Sequence, residues 1–194
     1  MNQQQQQQGN TSSEHAAVAS SEEPSHQTTE FGVANVVDPA DVDEVGALWV
    51  RGPNITPGYW KRPEANRTEF VDGWFNTGDA ARLDSDGDLW IVDRWKDMYI
   101  SGGENVYPAE VENVLFALDG IRDGAIVGAP DEKWGEIGVA WCVLEEGSTL
   151  TEDDILGHFQ GKLARFKLPA RVRFIDELPR NATGKVLKRE LRDM

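Results

Sequence analysis

The stretch Asp93-Arg94-Trp95-Lys96-Asp97-Met98-Tyr99-Ile100-Ser101-Gly102-Gly103-Glu104-Asn105-Val106-Tyr107-Pro108-Ala109-Glu110-Val111-Glu112 constrains this chain most. It reads as strand, charged pivot, strand, double-glycine turn and helix. Met98-Tyr99-Ile100 is a short apolar, β-prone run. Gly102-Gly103 permits positive φ and leaves bare backbone that another chain or a ligand can approach. Pro108 suits a first helical position, and Glu110 and Glu112 fall at the positive end of the helix dipole. Val111, Val114, Leu115 and Leu118 follow the i, i+3, i+4, i+7 pattern of a helix with one buried face.

The sequence on either side differs in kind. Before the pivot, Ala47-Leu48-Trp49-Val50 predicts a strand ended by Gly52-Pro53, and Pro57-Gly58 marks a turn. Pro63 to Phe70 predicts a short helix. Asp72-Gly73 and Asp86-Gly87 are hairpin signals, the second joining Ala80–Leu83 to Leu89–Val92. After the pivot, Ala125–Gly128, Val139–Leu144 and Val172–Ile175 predict strands. Thr151-Glu152-Asp153-Asp154 resembles a capping arrangement for a helix carrying Ile155, Leu156, Phe159 and Leu163. Thr183 is expected to cap a last helix bearing Leu187 and Leu191. The fold class is α+β: a β-rich unit over residues 31–95, then a compact α+β unit over residues 96–194 in which helices flank one small sheet. Residues 1–30, with glutamines from Gln3 to Gln8 and almost no apolar side chains, predict a disordered tail.

Net charge is −15, unevenly spread: residues 161–194 carry +6, residues 1–30 carry −4 and the middle −17. An acidic body argues against general nucleic-acid binding, whereas the basic end could face phosphates or be an ordinary solvated surface. No apolar run is long enough for a membrane span, and the polar start is not a secretory signal. The single Cys142 lies in the apolar run Val139–Leu144, which predicts a buried structural thiol and suits a reducing, cytoplasmic location. Trp74, Trp90, Trp95, Trp134 and Trp141 are assigned to packing. His158 lies in the Thr151 helix, His15 and His26 lie in the tail, and no metal-ligand spacing occurs.

The pivot stretch resembles the hinge motif of the adenylate-forming enzymes: acyl-CoA synthetases, firefly-type luciferases and peptide-synthetase adenylation domains. Gly73-Trp74-Phe75-Asn76-Thr77-Gly78-Asp79 resembles that family's aromatic-x-T-G-D motif. Pro179-Arg180-Asn181-Ala182-Thr183-Gly184-Lys185-Val186-Leu187-Lys188-Arg189-Glu190-Leu191 resembles its terminal lysine motif, and Gly46–Pro53 matches a fourth, weaker one. The resemblance runs from about Val36 to the end and covers the last third of such an enzyme. It implies a small β subdomain followed by a mobile lid. It also implies ATP or AMP, coenzyme A, magnesium carried with ATP, and a small-molecule carboxylic acid as ligands.

The same resemblance implies roles for particular residues. Asp79 would accept hydrogen bonds from both ribose hydroxyls of the nucleotide, because a carboxylate offers two oxygens to a vicinal diol. As a bare sequence, Thr77-Gly78-Asp79 also reads as a turn aspartate. Arg94 would reach the ribose or phosphate region, and Lys96 would be the solvated hinge. Lys185 would offset charge at the α-phosphate during adenylation. No G-x-x-x-x-G-K-[ST] occurs, so Lys185 is not a P-loop lysine. Gly102, Gly103 and Glu104 would line the pantetheine tunnel in the second step.

The family's phosphate loop, acyl pocket and magnesium-holding acidic residue belong to a large domain that these residues do not supply. The expected function is therefore the C-terminal part of an acyl-CoA ligase, most like the fatty-acid type and inactive alone. A non-catalytic module docking on a separate large domain, or the lid of a peptide-synthetase adenylation domain, are the alternatives. A fusion, a gene fragment or an appended tail would each account for residues 1–30.

Overall fold

The computed structural model describes residues 43–194. The expectations for the tail, for His15 and His26, and for the first residues of the β-rich unit lie outside the described residues.

The β-rich unit is a four-stranded antiparallel sheet built around one long strand. Strands β1 (Gly46–Val50), β2 (Phe70–Val71), β3 (Trp74–Leu83) and β4 (Leu89–Arg94) all pair through β3, and helix α1 (Pro63–Glu69) leads into β2. Proline at the start of α1 and the Asp72-Gly73 and Asp86-Gly87 turns stand where the sequence places them. The core is small: Leu48, Trp74, Ala80 and Ala81 are buried, with Tyr59, Phe70 and Phe75 clustered beside them. The Arg51 guanidinium lies 4.4 Å from the Trp74 ring centroid.

Thr77-Gly78-Asp79, which as bare sequence also reads as a turn, is an irregularity inside β3. The β1–β3 pairing jumps from Ala47↔Ala80 to Trp49↔Asn76, so Leu48 faces the extra residues. The Thr77 hydroxyl donates to Leu48 O at 3.0 Å and accepts from Asp79 N at 3.1 Å, replacing the lost ladder bonds. Gly78 takes φ 74°, open to glycine at no steric cost.

The second unit is a five-stranded mixed sheet between two helical layers. It contains β5 (Tyr99–Ser101), β6 (Glu104–Val106), α2 (Pro108–Leu115), β7 (Ile121–Asp131), β8 (Gly135–Leu144), α3 (Glu152–Phe159), β9 (Arg171–Phe174) and α4 (Lys188–Arg192). The β7–β8 hairpin is its spine. Along the other side of β8, β5 pairs antiparallel near Gly135 and β9 pairs parallel from Val139 to Cys142. Side chains alternate between faces along these strands. Ile126, Ala140, Cys142 and Val172 face α2 and α3, meeting Val111, Leu115, Ile155 and Phe159. Ala125, Val127, Val139, Trp141 and Val143 face the opposite layer, meeting Leu178 and Leu191 of the C-terminal segment.

Tyr99 locks the start of this unit. It is 1% exposed, and a Cβ on either Gly128 or Gly138 would overlap it. Burial raises its phenol pKa, with the Glu136 carboxylate adding to the effect. Helix α3 carries the expected capping box: the Thr151 hydroxyl accepts from Asp154 N at 3.2 Å, and Thr151 N donates to the Asp154 carboxylate at 2.9 Å.

Other expectations shift. The charged pivot Trp95-Lys96-Asp97 is a 3₁₀ turn, and strand β6 intervenes between the double-glycine turn and α2. Trp74 and Trp141 pack as expected, but Trp90, Trp95 and Trp134 are 51%, 40% and 43% exposed. Thr183 does not cap the last helix. That helix starts at Lys188 after Leu187, with no side-chain cap.

Candidate functional site

The β3 irregularity aims Asp79 outward. Its Oδ1 lies 3.1 Å from Arg94 Nη1, and Asp79 and Arg94 are register partners across β3 and β4. Arg94 Nη1 also donates to Thr77 O at 2.8 Å, which fixes the guanidinium over the Gly78 backbone. A Cβ at Gly78 would sit 3.5 Å from that nitrogen. The Asp79 side chain is 26% exposed, and among the described residues its Oδ2 has no hydrogen-bond partner. A carboxylate with one oxygen engaged and one open fits the hydroxyls of a sugar.

Directly after Arg94 comes the 3₁₀ turn with Lys96 exposed. One tie spans the turn and another binds its carbonyls. Asp93 Oδ2 accepts from Ala109 N at 2.7 Å, and Arg192 donates to Asp97 O at 3.0 Å and to Lys96 O at 3.4 Å.

Gly102 and Gly103 form the tip of the β5–β6 hairpin with φ 63° and 89°. Gly102 N donates to Trp134 O at 2.9 Å, and a Cβ on Gly102 would press on the indole at 3.0 Å. Gly103 faces open space, and Glu104 is exposed beside it.

Lys185 sits on a tight turn between β9 and α4, not on a helix. Asn181 Oδ1 accepts from Thr183 N, Thr183 Oγ1 and Lys185 N at 3.0, 2.8 and 2.9 Å, and Asn181 N donates to Lys185 O at 2.9 Å. Arg180, paired with Asp123, donates to Gly184 O at 2.6 Å. The turn is ordered while the Lys185 ammonium makes no hydrogen bond or ion pair among the described residues. Lys167 and Lys188, by contrast, are 2.7 Å from Glu110 and Glu112 respectively.

Asp79 and Arg94 are thus brought together. No hydrogen bond or ion pair among the described residues joins Lys185 to them or to the glycine tip. No group of three or more His, Cys, Asp or Glu able to hold a metal occurs among the described residues. Burial pushes the Cys142 thiol up to about 12, away from nucleophilic use. No described helix is long and apolar enough to cross a membrane. Sequence reasoning missed Asp93, Asn181, Lys188 and Arg192. Only Asn181, two residues before Thr183 in an Asx-turn spacing, carried a readable signal.

Residues 110–185 match the AMP-binding enzyme C-terminal domain. The chain carries an AMP-binding enzyme C-terminal domain. Among curated relatives of this family, it is 48% identical over 155 residues to a feruloyl-CoA synthase of Amycolatopsis sp, spanning 80% of this chain and 32% of that protein. Among solved structures it is similar to o-succinylbenzoate-CoA synthetase (MenE) from Bacillus subtilis bearing its acyl-adenylate intermediate. There the TM-score is 0.75 at 36% identity, over 88% of this chain and 34% of that one. ATP-bound MatB from Rhodopseudomonas palustris gives a TM-score of 0.72 at 39% identity, over 87% of this chain and 33% of that one. Apo MatB gives 0.59 at 40% identity over the same shares. The chain therefore spans about a third of the length of these relatives.

Proposed function

We propose that this chain is the lid-bearing third of an acid–CoA ligase. In this reading a carboxylate attacks the α-phosphate of ATP, expelling pyrophosphate and giving an acyl-adenylate. The sulfur of coenzyme A then attacks the acyl carbon, AMP leaves, and the thiol proton passes to solvent. Residues 43–95 close the nucleotide site, and residues 96–194 swing about Lys96 to present first Lys185 and then the Gly102-Gly103 tip.

The observation that carries this reading is the Lys185 ammonium, unpaired on an ordered turn. Lys167 and Lys188, elsewhere in the same unit, are paired with the carboxylates of Glu110 and Glu112. A cation held in place without a partner suits an anion supplied from outside, where preorganisation lowers the cost of stabilising developing charge. Asp79 would hold the ribose, with Arg94 holding Asp79 and turning its remaining hydrogens towards phosphate. Gly103 would give the pantetheine arm close passage along bare backbone. The lower TM-score against apo than against ATP-bound MatB, at near-equal identity, supports a change in arrangement within this third of such enzymes.

Magnesium would arrive with ATP and be held mainly by protein outside these residues. The 194 residues alone would accordingly form no acyl-adenylate. An ATP–pyrophosphate exchange assay on the purified chain with a panel of carboxylic acids tests this. The expected result is exchange at background for every acid, and robust acid-dependent exchange would overturn the reading.

A further inference from the structure

The pivot is tied from both ends, and neither tie belongs to the roles above. Helix α2 opens the second unit, and its N-cap residue Tyr107 supplies no side-chain cap. The missing acceptor comes from across the pivot. Asp93, on β4 of the first unit, places Oδ2 2.7 Å from Ala109 N in the first turn of α2, while its Oδ1 accepts from Arg94 N at 2.6 Å. A carboxylate at this end meets both an orphan amide and the positive end of the helix dipole. The second tie comes from the other end of the chain. Arg192, in the last turn of α4, donates to Asp97 O at 3.0 Å and, from both terminal nitrogens, to Lys96 O at 3.4 Å. These are the carbonyls of the 3₁₀ turn that would change its backbone angles in any swivel.

The geometry points to a latch: the Asp93 bond to Ala109 holds the second unit in this one orientation and must open before it can turn about Lys96, while Arg192 braces the carbonyls on the second unit's side of the pivot. The two ties differ in kind. Asp93 joins one unit to the other directly, so rotation separates its carboxylate from Ala109. Arg192 joins the pivot carbonyls to the second unit's own last helix, so it fixes the far side of the pivot to that unit. The anchor on the far side is rigid, because Tyr99 is clamped against Gly128 and Gly138 immediately after the pivot. Motion is thereby confined to residues 94–98, where both ties act. That the latch governs a catalytic swivel rests on the function proposed above; that it sets the resting orientation does not.

The experiment uses the 194-residue chain without ligands. Residual dipolar couplings report the relative orientation of residues 46–94 and 99–192, and amide exchange reports the Ala109 bond. In the wild-type chain both sets of couplings fit one alignment tensor and the Ala109 amide is protected. In Asp93→Ala with Arg192→Ala, the two units require separate tensors and Ala109 exchange rises about tenfold or more, the loss expected for a charge-assisted bond. Asp93→Asn, which keeps one acceptor oxygen, restores part of the protection. Amides of Ile126 and Ala140 in the core serve as the folding control, and unchanged protection there separates release of the latch from unfolding. Separate tensors in the wild-type chain, or a single tensor and unchanged Ala109 exchange in the double variant, would overturn the latch. If the core itself unfolds in the double variant, the Asp93→Asn chain decides: Ala109 exchange faster than in the wild type, with the core amides unchanged, supports the latch, and exchange equal to the wild type overturns it. None of these readouts involves turnover, so failure of the ligase reading and failure of the latch are told apart.

Discussion

Asp79 and Arg94 face each other across the β3–β4 ladder with 3.1 Å between carboxylate and guanidinium, and the same guanidinium caps Thr77 O. The pair is substantially exposed, so its Coulomb energy adds little to stability, under about 1 kcal/mol. Its geometry is nevertheless fixed twice over, by register and by the Thr77 carbonyl. Asp79→Asn is therefore expected to leave urea unfolding nearly unchanged while weakening ATP binding in an assembled enzyme by tenfold or more. Parallel unfolding and nucleotide titrations check this, and equal small effects on both would remove Asp79 from the site.

Two lysines three residues apart are expected to behave oppositely. Lys188 is 2.7 Å from Glu112, both are largely buried, and Glu112 also accepts from Ile126 N at 2.9 Å. Lys188→Met should destabilise the chain by about 1–3 kcal/mol, because it strands a carboxylate that has only an amide left. Lys185→Met, at an exposed and unpaired position, should change stability by less than about 0.5 kcal/mol. Thermal or urea unfolding of the two variants tests the contrast.

At the glycine tip, space and backbone angle make separate demands. Gly103 has φ 89° with nothing within 4 Å of a would-be Cβ, so Gly103→Ala should cost only the strain of the left-handed region, about 1–2 kcal/mol. Gly128→Ala, which drives a methyl into Tyr99, should cost about 1–3 kcal/mol from overpacking. In an assembled enzyme, Gly103→Ala should slow thioester formation while leaving pyrophosphate exchange intact. Slowing both steps equally would show that the tip has no special place in the second.

Cys142 supplies a pH test. Its thiol ordinarily ionises near 9.0, and burial pushes it up to about 12 in the folded chain. The folded state therefore favours the protonated form. The contribution is complete below 9.0 and is lost as pH rises towards 12. Unfolding midpoints should fall across that window, less so in Cys142→Ala. A thiol reagent should not label the folded chain at neutral pH.

Much of the architecture was legible in local chemistry. Pro108, the Val111–Leu115 face, the Thr151–Asp154 box and the Asp86-Gly87 hairpin all declare themselves within a few residues, and each stands as expected. What escaped depends on partners distant in sequence. Thr77-Gly78-Asp79 looks like a turn until Leu48, from another strand, takes the threonine hydroxyl. Thr183 looks like a helix cap until Asn181 claims its hydroxyl and delays the helix to Lys188. The candidate site followed the same division. Resemblance to the family's motifs singled out Asp79, Arg94, Lys96, Gly103 and Lys185 as candidates. The residues that hold them, Asp93 to Ala109 and Arg192 to the pivot, act over sequence separations that no periodicity reveals.

The central claim is that Lys185 serves a nucleotide bound by protein outside this chain. The direct measurement is acid-dependent ATP–pyrophosphate exchange in a chimera whose first two-thirds come from the Amycolatopsis feruloyl-CoA synthase and whose remainder is residues 43–194 of this chain, assayed with the acid that parent activates. The account predicts exchange by the chimera, none by either part alone, and a loss of about 10²-fold or more in Lys185→Ala. Undiminished exchange in the Lys185→Ala chimera, or exchange by this chain alone, would contradict it.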